Sequence, residues 1–494
     1  MKEWTREERY RTILEASNEE LTELRDIVNS CPYRQKFHIQ PTTGLLNDPN
    51  GFSYYNNEYH LFYQYNPYDS KWASMHWGHA ESEDLIKWNH LPIALAPSEF
   101  YDDDDDGGCF SGSAVDDNGV LILMYTGTTN NGEGTVQVQC IATSNDGVNF
   151  EKFEGNPVIL PNFIEGNRDF RDPKVWKEGD LWYVVIGTTK NNEGRVLLYS
   201  SPDLREWEFV SVLAESHGEL GSMWECPDFF RVGDKHVLMF SPIGLGTTIT
   251  MYLIGDMDYS TGKFTWTEKG KVDSGCDFYA PQSLLDDKGR RIIIGWANSW
   301  PWMEWFSDFG PNMEDKWNGA MSLPREVKLD EKTGKLKFIP VEEIKNYRKE
   351  ENKVELRILN GSKDIKISHR NRYEMLFNID LKSTTAKELI IKLRENKNGV
   401  AIIKLDIENK KLIFDRNNCD GYNKGIKSCD LDLFEDTLSV NIFSDNISIE
   451  VFTDDNKVAM SNNIYPLECS NKVNLEAVDG NVVFNSFDIW TIEV

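Results

Sequence analysis

Ser82-Glu83-Asp84-Leu85-Ile86-Lys87-Trp88, Ser144-Asn145-Asp146-Gly147-Val148-Asn149-Phe150 and Ser201-Pro202-Asp203-Leu204-Arg205-Glu206-Trp207 are three copies of one element, and a weaker copy ends at Trp266. In each, a Ser is followed two positions later by Asp and then by an aromatic residue. Each copy also follows a run rich in Tyr, Val, Ile and Phe, such as Glu58-Tyr59-His60-Leu61-Phe62-Tyr63-Gln64-Tyr65 or Leu181-Trp182-Tyr183-Val184-Val185-Ile186. Short β-prone runs separated by Gly, Asn and Asp are hairpin strands. A fixed spacing of roughly 60 residues signals a radial or solenoidal array, and about 300 residues at that period make about five units.

Residues 36–340 are therefore expected to form a five-bladed β-propeller. Composition changes near residue 341, where 341–355 reads as a polar linker with helical character. Residues 356–494 offer short alternating strands such as Leu389-Ile390-Ile391-Lys392-Leu393, which suits a C-terminal β-sandwich. Residues 1–35 read as a short N-terminal helical segment, with Ile13, Leu14, Leu21, Leu24 and Ile27 at near-helical spacing. The fold class is all-β.

Composition narrows the partners. A net charge of -28 disfavours nucleic acid and anionic lipid, both of which need clustered Lys and Arg. The uncharged stretch Val237–Gly255 is broken by Pro242, Gly244 and Gly246, so it reads as two buried strands and not a membrane span. The N-terminus lacks the apolar core of a signal peptide, and eight scattered cysteines without a CxxC pair favour reduced thiols, so a cytoplasmic location is expected. The 15 Trp, 19 Tyr and 25 Phe suit a small-molecule sugar partner, whose C–H faces stack on flat rings. Oligomeric state is not legible.

Three acidic motifs carry candidate chemistry: Asn47-Asp48-Pro49-Asn50-Gly51, Phe170-Arg171-Asp172-Pro173-Lys174 and Trp224-Glu225-Cys226-Pro227-Asp228. A residue before proline is drawn to extended backbone, so Asp48, Asp172 and Cys226 are expected to be extended and rigidly presented. Innermost strands of a propeller start around one axis, which would bring three carboxylates from three blades into one funnel. Glycoside hydrolysis uses two, one as acid and one as nucleophile or base. The motifs alone do not assign the roles.

The chain closely resembles glycoside hydrolase family 32, the invertases and β-fructofuranosidases, and within it the bacterial sucrose-6-phosphate hydrolases. The resemblance runs through His38-Ile39-Gln40-Pro41, Gly44 to Gly51, His76-Trp77-Gly78-His79, Cys109-Phe110-Ser111-Gly112-Ser113, the Arg171 and Glu225 motifs, Asp277-Phe278-Tyr279-Ala280-Pro281-Gln282 and Leu323-Pro324-Arg325-Glu326. It implies a propeller followed by a sandwich. It also implies Asp48 as nucleophile, Glu225 as acid/base and Asp172 as transition-state stabiliser, with Leu45, Asn47, Gln64, Trp72, Phe110, Ser111 and Arg171 lining the fructose subsite. Many relatives have Trp-Met where this chain has Leu45-Leu46. In these roles Glu225 must carry a proton near neutrality, and Asp48 must stay ionised, helped by Arg171 or backbone donors. Cys226 either tunes the acid or simply packs.

Other motifs recede. Asp102–Asp106 imitates half of an EF-hand loop, but Ser113 stands where the bidentate Glu belongs, so a solvated acidic loop is expected and no metal. Ser111 lacks the flanking glycines of a nucleophile elbow. His76 and His79 lack a metal-ligand cluster, and no cofactor motif occurs. The reading is a retaining β-fructofuranosidase acting on sucrose 6-phosphate or sucrose. Alternatives are a fructo-oligosaccharide or fructan β-fructosidase, a fructosyltransferase, or a non-catalytic carbohydrate-binding propeller. Against a chain charge of -28, any preference for a phosphorylated sugar needs a few Arg or Lys side chains near the leaving-group subsite.

Overall fold

In the computed structural model, which describes residues 21–494 except 247, 248, 300–309, 312, 313, 370, 398, 434, 467 and 468, five separate sheets surround one axis and a sixth follows them. The five are the blades of a propeller. Their innermost strands are Gly44–Tyr55, Gly108–Asp117, Phe170–Glu178, Met223–Val232 and Tyr279–Leu285, in blades 1 to 5. Each innermost strand pairs antiparallel with the next strand along the chain. Trp317–Asn318, from the chain between the second and third strands of blade 5, pairs in parallel with Gly44–Leu45 and so joins the last blade to the first.

The repeated Ser-x-Asp element is the turn between the third and fourth strands of blades 1 to 3. Asp84 accepts from the N–H groups of Ile86 and Lys87 at 3.0 and 2.9 Å, and Asp203 accepts from Arg205 and Glu206 at 2.9 Å each. The aromatic member closes the turn, with Trp88 and Trp207 donating their indole N–H to the carbonyls of Leu85 and Leu204. These local bonds satisfy backbone groups that a tight turn leaves unpaired. The repeat was visible because one turn chemistry is used at one place in successive blades.

The sandwich is built around one long strand, Lys472–Ile492, shared by two six-stranded layers. Its first half pairs with Ile358–Lys366 and Glu388–Asn396, its second with Arg348–Lys353 and Tyr373–Asp380. Alternating buried residues such as Tyr373, Met375, Phe377 and Ile379 face the core between the layers. Within 341–355, Glu342–Tyr347 is a 3-10 helix, and Arg348–Lys353 already belongs to the sandwich. Strands Lys235–Ile243 and Met251–Asp258 account for the long uncharged stretch. Among the described residues no helix is long and apolar enough to cross a membrane.

At the N-terminus, Thr22–Ser30 is an α-helix, and the rest of the expected helical stretch, including Ile13 and Leu14, lies outside the described residues. Leu21 and Val28 are buried there whereas Ile27 is exposed, so the buried stripe is offset from the one expected.

Propeller and sandwich meet over a buried polar network. The fully buried Arg325 guanidinium lies 2.9 Å from Asp273 and 2.7 Å from Glu450, and also donates to Ser461. His38 bridges Asp445 and Glu450 at 2.9 and 3.0 Å. Burial alone would lower the His38 pKa, but the two carboxylates outweigh it and raise it to about 9. Burial likewise opposes Glu450 ionisation, and Arg325 with His38 overcomes it, holding Glu450 down at about 2. The Glu450 contribution to stability is thus present above its ordinary 4.5 and lost as pH falls toward 2, while that of His38 is present below 6.5 and lost as pH rises through 9. Removing one partner strands the others in a dry seam. Arg325→Ala is expected to cost about 3–5 kcal/mol in urea unfolding; a loss below about 1 kcal/mol would be that of an exposed pair.

Candidate active site

Each innermost strand carries an extra residue opposite its partner strand near its start, and the blade 1 strand carries a second between Asn50 and Ser53. The register shifts fall at Leu46/Pro49, Phe110/Gly112, Arg171/Lys174, Glu225/Asp228 and Tyr279/Gln282. Such β-bulges bend a strand and re-aim its side chains. Aligned on the Pro or Gly that ends each motif, the five blades read Asn47-Asp48-Pro49, Phe110-Ser111-Gly112, Arg171-Asp172-Pro173, Glu225-Cys226-Pro227 and Tyr279-Ala280-Pro281. Blade 2 has Gly112 where the others have Pro, because a Cβ there would lie 2.0 Å from the Met124 carbonyl oxygen.

In blades 3 to 5 the residue before proline is not extended, against the expectation for Asp172 and Cys226. Asp172, Cys226 and Ala280 have φ of 66°, 49° and 50°, the left-handed region that costs a non-glycine residue roughly 1–2 kcal/mol. Tertiary hydrogen bonds override the local preference. Thr126 Oγ1 accepts from Asp172 N–H at 3.0 Å, Asp172 Oδ2 from Cys226 N–H at 2.8 Å, and Ser241 Oγ from Ala280 N–H at 2.9 Å. Each acceptor comes from the preceding blade.

The bulges open on a cavity of about 250 Å³ lined by Asp48, Asp172 and Glu225. Asn47, Gln64, Trp72, Phe110, Ser111 and Arg171 line it too. Trp72 meets Phe110 edge-on, ring centroids 5.6 Å apart, and Gln64 donates to the Cys109 carbonyl at 2.8 Å. Leu45 is not brought to the cavity. It is 2% exposed and sits in the strand pairing between Asn66 and Asn318.

Ser111 donates to Asp48 Oδ2 at 3.0 Å, and Cys226 Sγ stands 3.7 Å from the same oxygen and 3.5 Å from Asp172 Oδ2. Cys226 thus bridges two carboxylates and is more than packing. Among the described residues no donor stands in hydrogen-bond geometry to Asp48 Oδ1. Arg171 does not serve Asp48: it grips Glu225 Oε1 through Nε and Nη2 at 3.1 and 2.9 Å, and its Nη1 reaches Gln137 and Asp169. Tyr279 donates to Glu225 Oε2. Burial, then the charges of Asp172 and Glu225, push Asp48 up to about 7. Burial also raises Asp172 to about 6, with Arg171 opposing and Glu225 adding to the rise. The expectation that Arg171 or backbone donors hold Asp48 ionised is therefore overturned by a like-charge cluster whose one guanidinium is committed elsewhere.

Gln137, Asp169 and Tyr279 were not singled out beforehand. Tyr279 stands at the bulge of blade 5, so aligning that Tyr-Ala-Pro with the three acidic motifs was the available signal. Gln137 and Asp169 carry no such mark. Asp102 is not the solvated loop residue expected: it is fully buried, accepts from Tyr125 and pairs with Lys152 at 2.6 Å. Asp106, at the end of the same run, lines the cavity. His76 bonds the Ser74 carbonyl, and His79 stacks on Phe62 with centroids 4.0 Å apart, so both pack within blade 1. No group of three metal-ligating side chains occurs among the described residues.

Residues 38–340 match the family model for the glycosyl hydrolases family 32 N-terminal domain, and 341–491 match the C-terminal model. The chain belongs to glycosyl hydrolase family 32. It is 38% identical to a sucrose-6-phosphate hydrolase of Escherichia coli over 92% of this chain and 94% of the relative. Among solved structures it is similar to a GH32 beta-fructofuranosidase of Bombyx mori in complex with sucrose, with TM-score 0.80, 36% identity and coverage of 97% and 99%. A sucrose-6-phosphate hydrolase from Lactobacillus gasseri matches with TM-score 0.83 at 28% identity, covering 99% of each chain. This family 32 chain is a glycoside hydrolase, and its bulge ring brings three carboxylates to one cavity.

A raised carboxylate makes folding less favourable as pH rises from its unfolded value, 3.8 for Asp48, to its folded value of about 7. Asp48→Asn keeps the shape and removes the charge. It is expected to raise Tm by a few degrees at pH 8, where each kcal/mol is worth about 2–4 °C in a large domain, and to match the parent near pH 4. Equal Tm at both pH values would show that the cluster stores no repulsion.

Proposed function

We propose that the protein is a retaining β-fructofuranosidase that cleaves the fructosyl bond of sucrose or sucrose 6-phosphate. The observation that carries the proposal is the delivery of Asp48, Asp172 and Glu225 to one cavity by equivalent bulges of blades 1, 3 and 4. Asp48, with an unpartnered Oδ1, attacks the anomeric carbon. Glu225 gives its proton to the leaving oxygen and later takes one from water. Asp172, anchored through the Cys226 N–H, binds fructosyl hydroxyls as charge develops on the ring. Asn47, Gln64, Trp72, Phe110, Ser111 and Arg171 complete the fructose subsite.

Protons in so tight a cluster belong to the group and not to single residues. The reaction requires one on Glu225 while Asp48 is ionised. Substrate hydroxyls entering beside Arg171 and Tyr279 compete for the contacts that occupy Glu225 in the free site, and that exchange sets the reactive arrangement. A cytoplasmic location is supported by the eight cysteines, none of them paired.

Asp48→Ala and Glu225→Ala are each expected to lower kcat by about 10²–10⁴-fold with the fold intact by circular dichroism. Fructose released first should be the β-anomer by NMR. Early α-fructofuranose would remove Asp48 as nucleophile.

Charge decides between the two substrates. Among the described residues, five carboxylates line the cavity against the single guanidinium of Arg171, so a neutral disaccharide enters unopposed and a phosphate needs a local cation. Arg168 meets that need: its Nη1 lies 3.4 Å from where a Cβ on Gly134 would sit, next to cavity-lining Thr135, and its pairing with Glu133 is exposed. Arg168→Ala should lower kcat/KM for sucrose 6-phosphate about tenfold and leave that for sucrose unchanged. An equal effect on both sugars would remove Arg168 from phosphate recognition.

A further inference from the structure

The propeller axis has a second cavity at the opposite end of the innermost strands. It measures about 460 Å³ and is walled by the later residues of all five, including Ser53, Val115, Trp176, Phe230 and Leu284. A polar plug separates it from the bulge ring. Lys174 Nζ lies 3.0 Å from Asp228 Oδ2 and donates to the Ser283 carbonyl, while Ser283 donates to Asp228 Oδ1 at 2.9 Å.

This end differs from the catalytic end in charge. Lys174, Lys177, Arg231 and Arg291 line it against Asp116 and Glu178, in a chain whose net charge is -28. Asp228, behind Lys174, neutralises one of the four. Arg291 has no carboxylate of its own among the described residues. Its Nε is buried without a partner, its Nη1 makes one long contact of 3.4 Å to Ser283 Oγ, and its guanidinium stands 4.9 Å from the centroid of the Phe230 ring. Burial lowers its pKa to about 10, with only the charge of Asp228 opposing. Ser53, 8% exposed on the same wall, leaves its hydroxyl unpartnered. A desolvated cation beside an open cavity is stabilised by whatever anion enters, and a guanidinium matches phosphate oxygens in pairs. The remaining wall is aromatic: part-buried Trp176 lines it beside Trp182, whose ring face Lys177 covers at 4.8 Å, and Phe229, which stacks on His236.

We propose that this cavity binds a small phosphate monoester bearing a planar ring, the phosphate between Arg291 and Lys174 and the ring against Trp176 and Phe230. The site is distinct from the carboxylate-lined cavity, with which it shares no lining residue.

Calorimetric titration of the full chain with AMP, inorganic phosphate and glucose 6-phosphate tests this. AMP should bind about tenfold or more tightly than either of the other two. Arg291→Gln should weaken AMP by about tenfold or more, Arg291→Lys by less, and both should keep sucrose hydrolysis within about twofold of the parent. Should Arg291→Gln fail to fold, Arg291→Lys carries the comparison through its loss of the paired contact. Absence of AMP binding at millimolar concentration, or unchanged binding in Arg291→Gln, overturns the site. Equal affinity for glucose 6-phosphate and AMP overturns the planar-ring assignment.

Discussion

Like charges held together out of water repel, and the propeller exists around that constraint. Asp48, Asp172 and Glu225 occupy one cavity, and burial plus mutual repulsion leave the two aspartates titrating near 7 and 6. Every neighbouring contact bears on the same problem. Ser111 and the Cys226 thiol face Asp48, the Cys226 amide holds Asp172, and Arg171 with Tyr279 holds Glu225. The donors come from blades 2 to 5, so no single blade could present its carboxylate in this state. Closure of the ring by Trp317–Asn318 on Gly44–Leu45 is what makes the cluster possible.

The parts of this arrangement that repeat were legible in the sequence. A turn with Ser, Asp and an aromatic marks blades 1 to 3, and an acidic residue beside proline marks three of the five bulges. What tertiary contacts decide was not. The extended reading of Asp172 and Cys226 failed because acceptors from adjacent blades stabilise a left-handed backbone that the dipeptide alone disfavours. Asp102 looked solvated because it sits in a run of five aspartates, yet Lys152, far along the chain, draws it inside. Leu45 stands two residues before Asn47 in sequence, in regular strand pairing ahead of the bulge. Gln137 and Asp169 matter through Arg171, a relation that exists only in three dimensions.

The seam between the two domains uses the opposite strategy from the cavity. There Arg325 and His38 nearly balance Asp273, Asp445 and Glu450, and Asp445 and Glu450 are stabilised in their ionised form. Apolar packing runs across the same boundary, since Phe443, Phe452, Ala459 and Ile492 of the sandwich join the core of blades 1, 4 and 5. One interior thus holds a relaxed set of charges and a strained one, and the relaxed set braces the blades that bear the strained one.

The shared strand Lys472–Ile492 also fixes an order of events during synthesis. Both sandwich layers hydrogen-bond to it, so on a ribosome neither layer has its central member until nearly the whole chain has emerged. His38, at the threshold of blade 1, waits for residues 445 and 450 for the same reason. The nascent propeller is left with its flank toward the sandwich uncovered and Arg325 without Glu450 while translation continues. Chain segments so exposed are the ones that chaperones engage, and pausing of translation within the sandwich would lengthen that interval.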